Sequence, residues 1–168
     1  MFFDRRALIL FSVATLIACN GAAAQSWATY LNPRYGFSID YPPQFRAEPP
    51  PANGDGRDFA AADGAQFTVS GQLNNPGAKQ RTVAQFETYL RSVSGASDYS
   101  HVTYRFASAD TLVLSGFRGD NVFYEKYIFS QGGQIISAFI MTYPKSAKAL
   151  YDPIVTRMSN SFRPGQTP

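Results

Sequence analysis

Thiol chemistry is nearly absent from this chain. Its one cysteine is Cys19, inside an apolar leader, so no intrachain disulfide can form. Thiol nucleophiles and cysteine metal sites are thereby excluded from the rest of the chain. Histidine is as scarce: His101 stands alone, and any imidazole base or ligand would have to be that one residue. Charged residues make up only 16% and form no long block of one sign, which argues against disorder. The net charge of +3 comes from 11 Arg and 4 Lys scattered along the chain. Nucleic acid would need a basic stripe, and none is present. There is no G-x-S-x-G elbow, no G-x-G-x-x-G turn and no P-loop, so the sequence predicts no enzyme and no cofactor. Only three glutamates occur, Glu48, Glu87 and Glu125.

Rings are what the chain has in quantity: 14 Phe, 10 Tyr and 1 Trp among 168 residues. That length predicts one domain. Each large apolar side chain buried is worth roughly 1.5–3 kcal/mol, so such a core folds without disulfides.

Residues 1–24 read as an export signal. Arg5 and Arg6 precede an apolar run of 12, Ala7 to Ala18, too short to span a bilayer comfortably. Two processing routes compete. Ala22-Ala23-Ala24 before Gln25 is an A-x-A site for release, and Leu16-Ile17-Ala18-Cys19 resembles a bacterial lipobox that would lipidate Cys19. Either route predicts a periplasmic or extracellular bacterial domain over residues 25–164, ending in a frayed tail at 165–168. Contact with a membrane is expected only if Cys19 carries lipid.

Within the domain, Trp27–Leu31 and Phe37–Tyr41 alternate as strands around Asn32-Pro33-Arg34-Tyr35-Gly36, which predicts a hairpin. Pro42-Pro43 then removes two backbone donors and stops the ladder. Arg57–Ala61 and Ala65–Leu73 flank Asp63-Gly64, a second hairpin. Thr82-Val83-Ala84-Gln85 fits a capping box, followed by Val83, Phe86, Leu90 and Val93 at helical spacing up to Gly95. Four strands joined by short turns come next: Tyr99–Ala107, Thr111–Phe117, Val122–Ser130 and Ile135–Tyr143. Simple alternation puts Val102, Tyr104 and Phe106 on one face. Thr111–Phe117 is apolar on both faces and is expected to be a central strand. Lys145–Tyr151 is helical, and Asp152-Pro153 reads as an N-cap with Pro at the first position of a new helix. Ile154, Met158 and Phe162 should point at the sheet. The fold class is α+β: a mostly antiparallel sheet of about seven or eight strands, with helices on both faces.

The order of these elements, with YGFSIDYP at Tyr35–Pro42 and YPKS…YDPIVTRMSNSF at Tyr143–Phe162, resembles the PsbP-like fold. That family includes an extrinsic photosystem protein, a Ran-binding nucleotide-release factor and exported bacterial proteins of unknown role. The resemblance covers nearly all of residues 27–164 and implies a binding or accessory role through protein–protein contacts. No functional residue carries over. The expected partner is another envelope protein, with the domain itself a monomer. The competing expectation is a small-molecule or divalent-cation site, or a weak hydrolase using His101.

The candidate site residues are few. His101 has Asp98 and Asp110 near in sequence, neither at a recognised catalytic spacing. Asp58 and Asp63 belong to a stretch beginning Asn53-Gly54-Asp55-Gly56 that suggests a calcium loop. Counted from Asn53, the fifth, sixth and twelfth positions are Arg57, Asp58 and Gly64, which fails the EF-hand pattern. Arg118-Gly119-Asp120 lies between two strands and reads as a turn. Ring-bearing strands such as Val122–Ser130 could line an open groove.

Overall fold

The computed structural model describes residues 26–74, 81–93, 99 and 101–165. The leader, Cys19, Gly95 and the tail beyond Gly165 therefore lie outside the described residues. A two-stranded sheet pairs β1 (Ala28–Leu31) with β2 (Ser38–Tyr41). The main sheet has seven strands: β3 (Arg46–Ala47), β4 (Gly56–Ala60), β5 (Gln66–Leu73), β6 (Val102–Ala107), β7 (Thr111–Arg118), β8 (Asn121–Ser130) and β9 (Ile135–Pro144). Their order is β3-β4-β5-β9-β8-β7-β6, with every pair antiparallel. Helix α1 (Val83–Val93) precedes β6, and α2 (Lys148–Ser161) follows β9 through a 3-10 turn at Lys145–Ala147. No helix among the described residues is long and apolar enough to cross a membrane.

Alternation along β8 and β9 splits the core in two. Val122, Phe139, Met141 and Tyr143 join one cluster with Tyr151, Val155, Met158 and Phe162 of α2 and the loop. Phe123, Tyr127, Phe129, Ile136 and Ala138 join the other with Val83 and Phe86 of α1. The β1–β2 hairpin extends the first cluster: Phe37 and Ile39 are fully buried in it, and Tyr30 and Tyr41 pack on Phe59 at ring distances of 5.6 and 4.7 Å.

Local chemistry explains the ends of the elements. Buried Asn32 accepts from the amides of Arg34 and Tyr35 and donates to the Gly54 carbonyl, so its side chain builds the first turn. The capping box forms as its residues predict: Thr82 N–H donates to Gln85 Oε1, and Gln85 N–H donates to Thr82 Oγ1. At the C-terminal end Ser38 and Arg163 exchange backbone bonds. There a Cβ on Gly165 would sit 1.7 Å from the Tyr35 carbonyl oxygen, so only glycine allows the approach.

Two local expectations are overturned. Asp152 caps nothing: α2 runs unbroken with Pro153 inside it. Proline forfeits one helical bond, but Tyr151 before it and Val155 and Met158 after it are all buried, and that packing holds the helix together. Val102, Tyr104 and Phe106 do not share a face. The pairing shifts between Val102 and Tyr104, so Thr103 is an extra residue and the two rings turn to the opposite side. Gly116 permits this, because a Cβ there would lie 2.0 Å from the His101 oxygen. Strand β7 is an interior strand, paired with β6 and β8, and β9 holds the middle of the sheet.

Two substitutions in β2 test which face carries the core. Ile39→Ala should lower unfolding free energy by about 2–5 kcal/mol, and Ser38→Ala should stay within about 0.5 kcal/mol, read from urea midpoints. Equal tolerance of both would contradict the register.

The ion pairs of Glu87 supply a pH signature. Its carboxylate accepts from Arg105 and Arg91, and the Arg105 bond, opposed by burial, holds its pKa below the ordinary value. A depressed carboxylate stabilises the fold above its unfolded pKa and loses that contribution as pH falls through the folded value. The stability gap between wild type and Glu87→Gln should thus be full at pH 7 and shrink below about pH 4. A gap independent of pH would sink this account.

Candidate functional site

Each helix covers only part of the sheet, and the two uncovered parts differ in chemistry. On the side of α1, one transverse row runs Asp58, Thr68, Ile140, Glu125, Leu114 and Arg105. Its bare end is mostly polar: Asp58, Gln66, Thr68 and Thr142 line a cleft of about 420 Å³ with Glu48, and Ile140 is the apolar side chain of that face among them. On the side of α2, the adjacent rows run Phe59, Phe67, Met141, Tyr124, Ser115, Tyr104 and then Val69, Phe139, Lys126, Val113, Phe106. Here the covered end is fully apolar. The bare end carries two rings, Tyr104 and Phe106, at 55% and 48% exposure.

Those rings and α2 form the walls of a groove of about 620 Å³. Lys148, Asp152, Val155, Thr156, Ser159 and Asn160 line it from the helix, spaced as one helical face. Val113, Ser115, Tyr124 and Lys126 make the floor. Phe117 lies at one end with the Lys145 ammonium 4.9 Å from its ring centroid.

Hydrogen bonds fix the polar groups of the groove. The Tyr124 and Ser159 hydroxyls lie 2.7 Å apart. Tyr143 donates to Asp152 at 2.9 Å, and burial followed by that carboxylate pushes its phenol up. Lys148 pairs with the same Asp152. The Lys126 ammonium donates to the Ser159 carbonyl at 2.8 Å. Burial, with Arg163 adding like charge, draws its pKa down.

The sequence-derived candidates do not meet. His101 is exposed and sits before β6 at one sheet edge, and its backbone oxygen receives the Phe117 amide. Asp58 lies on β4 near the other edge and accepts the Thr68 hydroxyl at 2.5 Å. Asp63, in the turn after β4, accepts the Tyr151 hydroxyl at 2.8 and 2.9 Å, a bond made on the α2 side. Among the described residues no three His, Cys, Asp or Glu side chains come close enough to hold a metal. Glu125 is buried, but Tyr99, Tyr127 and Arg118 all donate to it. That satisfied cluster joins β7, β8 and the approach to β6.

Sequence reasoning named Val122–Ser130, which lines the groove through Val122, Tyr124 and Lys126, but missed the β6 wall because it assigned Tyr104 and Phe106 to the same face as Val102. The bulge that separates them leaves only weak traces: a glycine at position 116 and a strand richer in rings than an edge requires.

Comparison with solved structures gives the fold. The chain is similar to cyanobacterial PsbP (CyanoP) from Synechocystis sp., with a TM-score of 0.59 at 14% identity, covering 89% of this chain and 98% of that one. It is also similar to the Ran-binding protein Mog1p of Saccharomyces cerevisiae, with a TM-score of 0.51 at 8% identity, covering 83% and 96%. The PsbP-like architecture expected from the sequence is thereby shown. No protein-family model and no curated protein matches the chain.

If the groove rings are surface and not core, Phe106→Ala should change stability by less than about 1 kcal/mol. Phe123→Ala, one residue from the same floor but on the α1 side, should cost about 3–5 kcal/mol. Thermal unfolding of both variants measures this, and a large loss from Phe106→Ala would make the groove part of the core.

Proposed function

We propose that this protein is an exported, non-catalytic binding module of the bacterial cell envelope, working through protein–protein contacts at the groove beside α2. One observation carries the reading: the uncovered end of the α2 face presents two exposed rings, whereas the uncovered end of the opposite face is mostly polar. Polar bare sheet is at ease in water. Two half-exposed rings beside Val113 and Phe117 gain by being covered.

The leader of residues 1–24 supports export, and Cys19 supplies the route to a lipid anchor if it is the residue processed. The solved relative named as a Ran-binding protein supports a contact role for the fold. Export places this chain away from Ran, so the partner is an envelope protein. The scattered candidates His101, Asp58 and Asp63 share no site, which removes the support for a hydrolase or cation-binding reading.

Photo-crosslinking in the cell tests both parts. Benzoylphenylalanine in place of Phe106 should give a discrete crosslinked species in the envelope fraction, and the same probe at Thr68 should give none. Intact mass of the captured chain should show a lipidated Cys19 or a start at Gln25. A crosslink from Thr68 alone, or a chain retaining its leader in the cytoplasm, would overturn the reading.

A further inference from the structure

The groove has a charge imbalance that says what kind of segment fits it. Three charged side chains line it: Lys126, Lys148 and Asp152. Lys148 and Asp152 neutralise each other. Among the described residues Lys126 has no carboxylate partner; its hydrogen bond goes to the Ser159 carbonyl in the last turn of α2. Arg163, which raises the positive potential at Lys126, likewise donates to carbonyls there, those of Asn160 and Phe162. The end of a helix carries only about half a negative charge, set against two whole positive ones. An ammonium has three donors, and Lys126 has one in use.

The position of this charge is fixed by the sheet. Lys126, Val113 and Phe106 are consecutive in one transverse row, so the Cα atoms of Lys126 and Phe106 lie two strand spacings apart, roughly 10 Å. That separation exceeds a single side chain and suits residues two to three apart in an extended peptide, at about 3.3 Å each. The outer edge of β6 is the less suitable place, because the extra residue at Thr103 breaks its regular ladder.

We propose that the groove docks an extended acidic segment of a partner protein, one carboxylate bonding the Lys126 ammonium and an apolar side chain two or three residues away covering Phe106 and Tyr104. This rests on the groove being the binding face. Lys126 supplies orientation and selection against basic or neutral segments, and the rings supply the buried area. The carboxylate replaces water on a half-buried cation, so the bond is a charge-assisted one.

A random nonapeptide library displayed on phage and selected on the purified protein tests the inference. Selected peptides should be enriched in Asp or Glu placed two or three residues from an aromatic or aliphatic residue. Their affinity should fall about tenfold or more in Lys126→Gln, stay within about threefold in Lys126→Arg, and fall as salt rises. Unchanged thermal unfolding of Lys126→Gln separates lost binding from lost fold. Peptides without acidic enrichment that lose binding in Phe106→Ala but not in Lys126→Gln would overturn the carboxylate assignment and leave the groove standing. Acidic peptides indifferent to Lys126→Gln would overturn it as well. A selection yielding no peptide sensitive to either substitution would overturn both the assignment and the groove.

Discussion

A seven-stranded sheet is roughly 29 Å across, six spacings of about 4.8 Å, and a helix with its side chains is only about 10–12 Å wide. One helix on a face therefore leaves much of that face bare unless another element helps. In this protein the β1–β2 hairpin helps α2 at the β4 end and nothing described helps it at the β6 end. The groove is a direct consequence of that mismatch in width. Its chemistry is then set by which residues alternation delivers to the bare strip, and these are Tyr104, Phe106, Val113, Ser115 and Lys126.

The same constraint explains why the two faces behave differently. Helix α1 covers Phe123, Tyr127 and Phe129, and at the rim of that cover the chain uses charge: Glu87 between Arg91 and Arg105, and buried Glu125 held by Arg118 and two tyrosines. Both carboxylates have their donors inside the fold, so the rim that α1 covers is electrostatically complete. On the α2 side the acceptor for Lys126 is a backbone carbonyl, and the rim is made of rings. A covered rim with its charges satisfied on one side, and a cation bonded only to a carbonyl beside apolar surface on the other, are what set the two faces apart.

Much of this architecture was legible. The alternation of Phe37, Ile39 and Tyr41, the Asp63-Gly64 turn, the Thr82–Gln85 capping box and the four-strand meander are all local patterns, and local patterns survive folding. The features that escaped are non-local. The bulge at Thr103 depends on how closely His101 approaches Gly116 across the sheet, so period-two counting put Tyr104 on the wrong side. The break expected at Asp152-Pro153 failed because buried contacts of Tyr151, Val155 and Met158 outweigh one missing hydrogen bond. Val122–Ser130 was legible as a strand that could line a groove, but the groove's extent was not, because it is defined by where α2 stops covering the sheet, a distance that no stretch of sequence encodes by itself.

Hydrogen exchange on the complex recovered by crosslinking at position 106 tests the central claim most directly, because it maps the covered surface residue by residue. Docking in the groove predicts slowed exchange concentrated in residues 103–117 and 148–161, with the 56–70 hairpin unchanged. Protection centred on the 56–70 hairpin, or no change at 103–117, would contradict the assignment of function to the bare aromatic end of the α2 face.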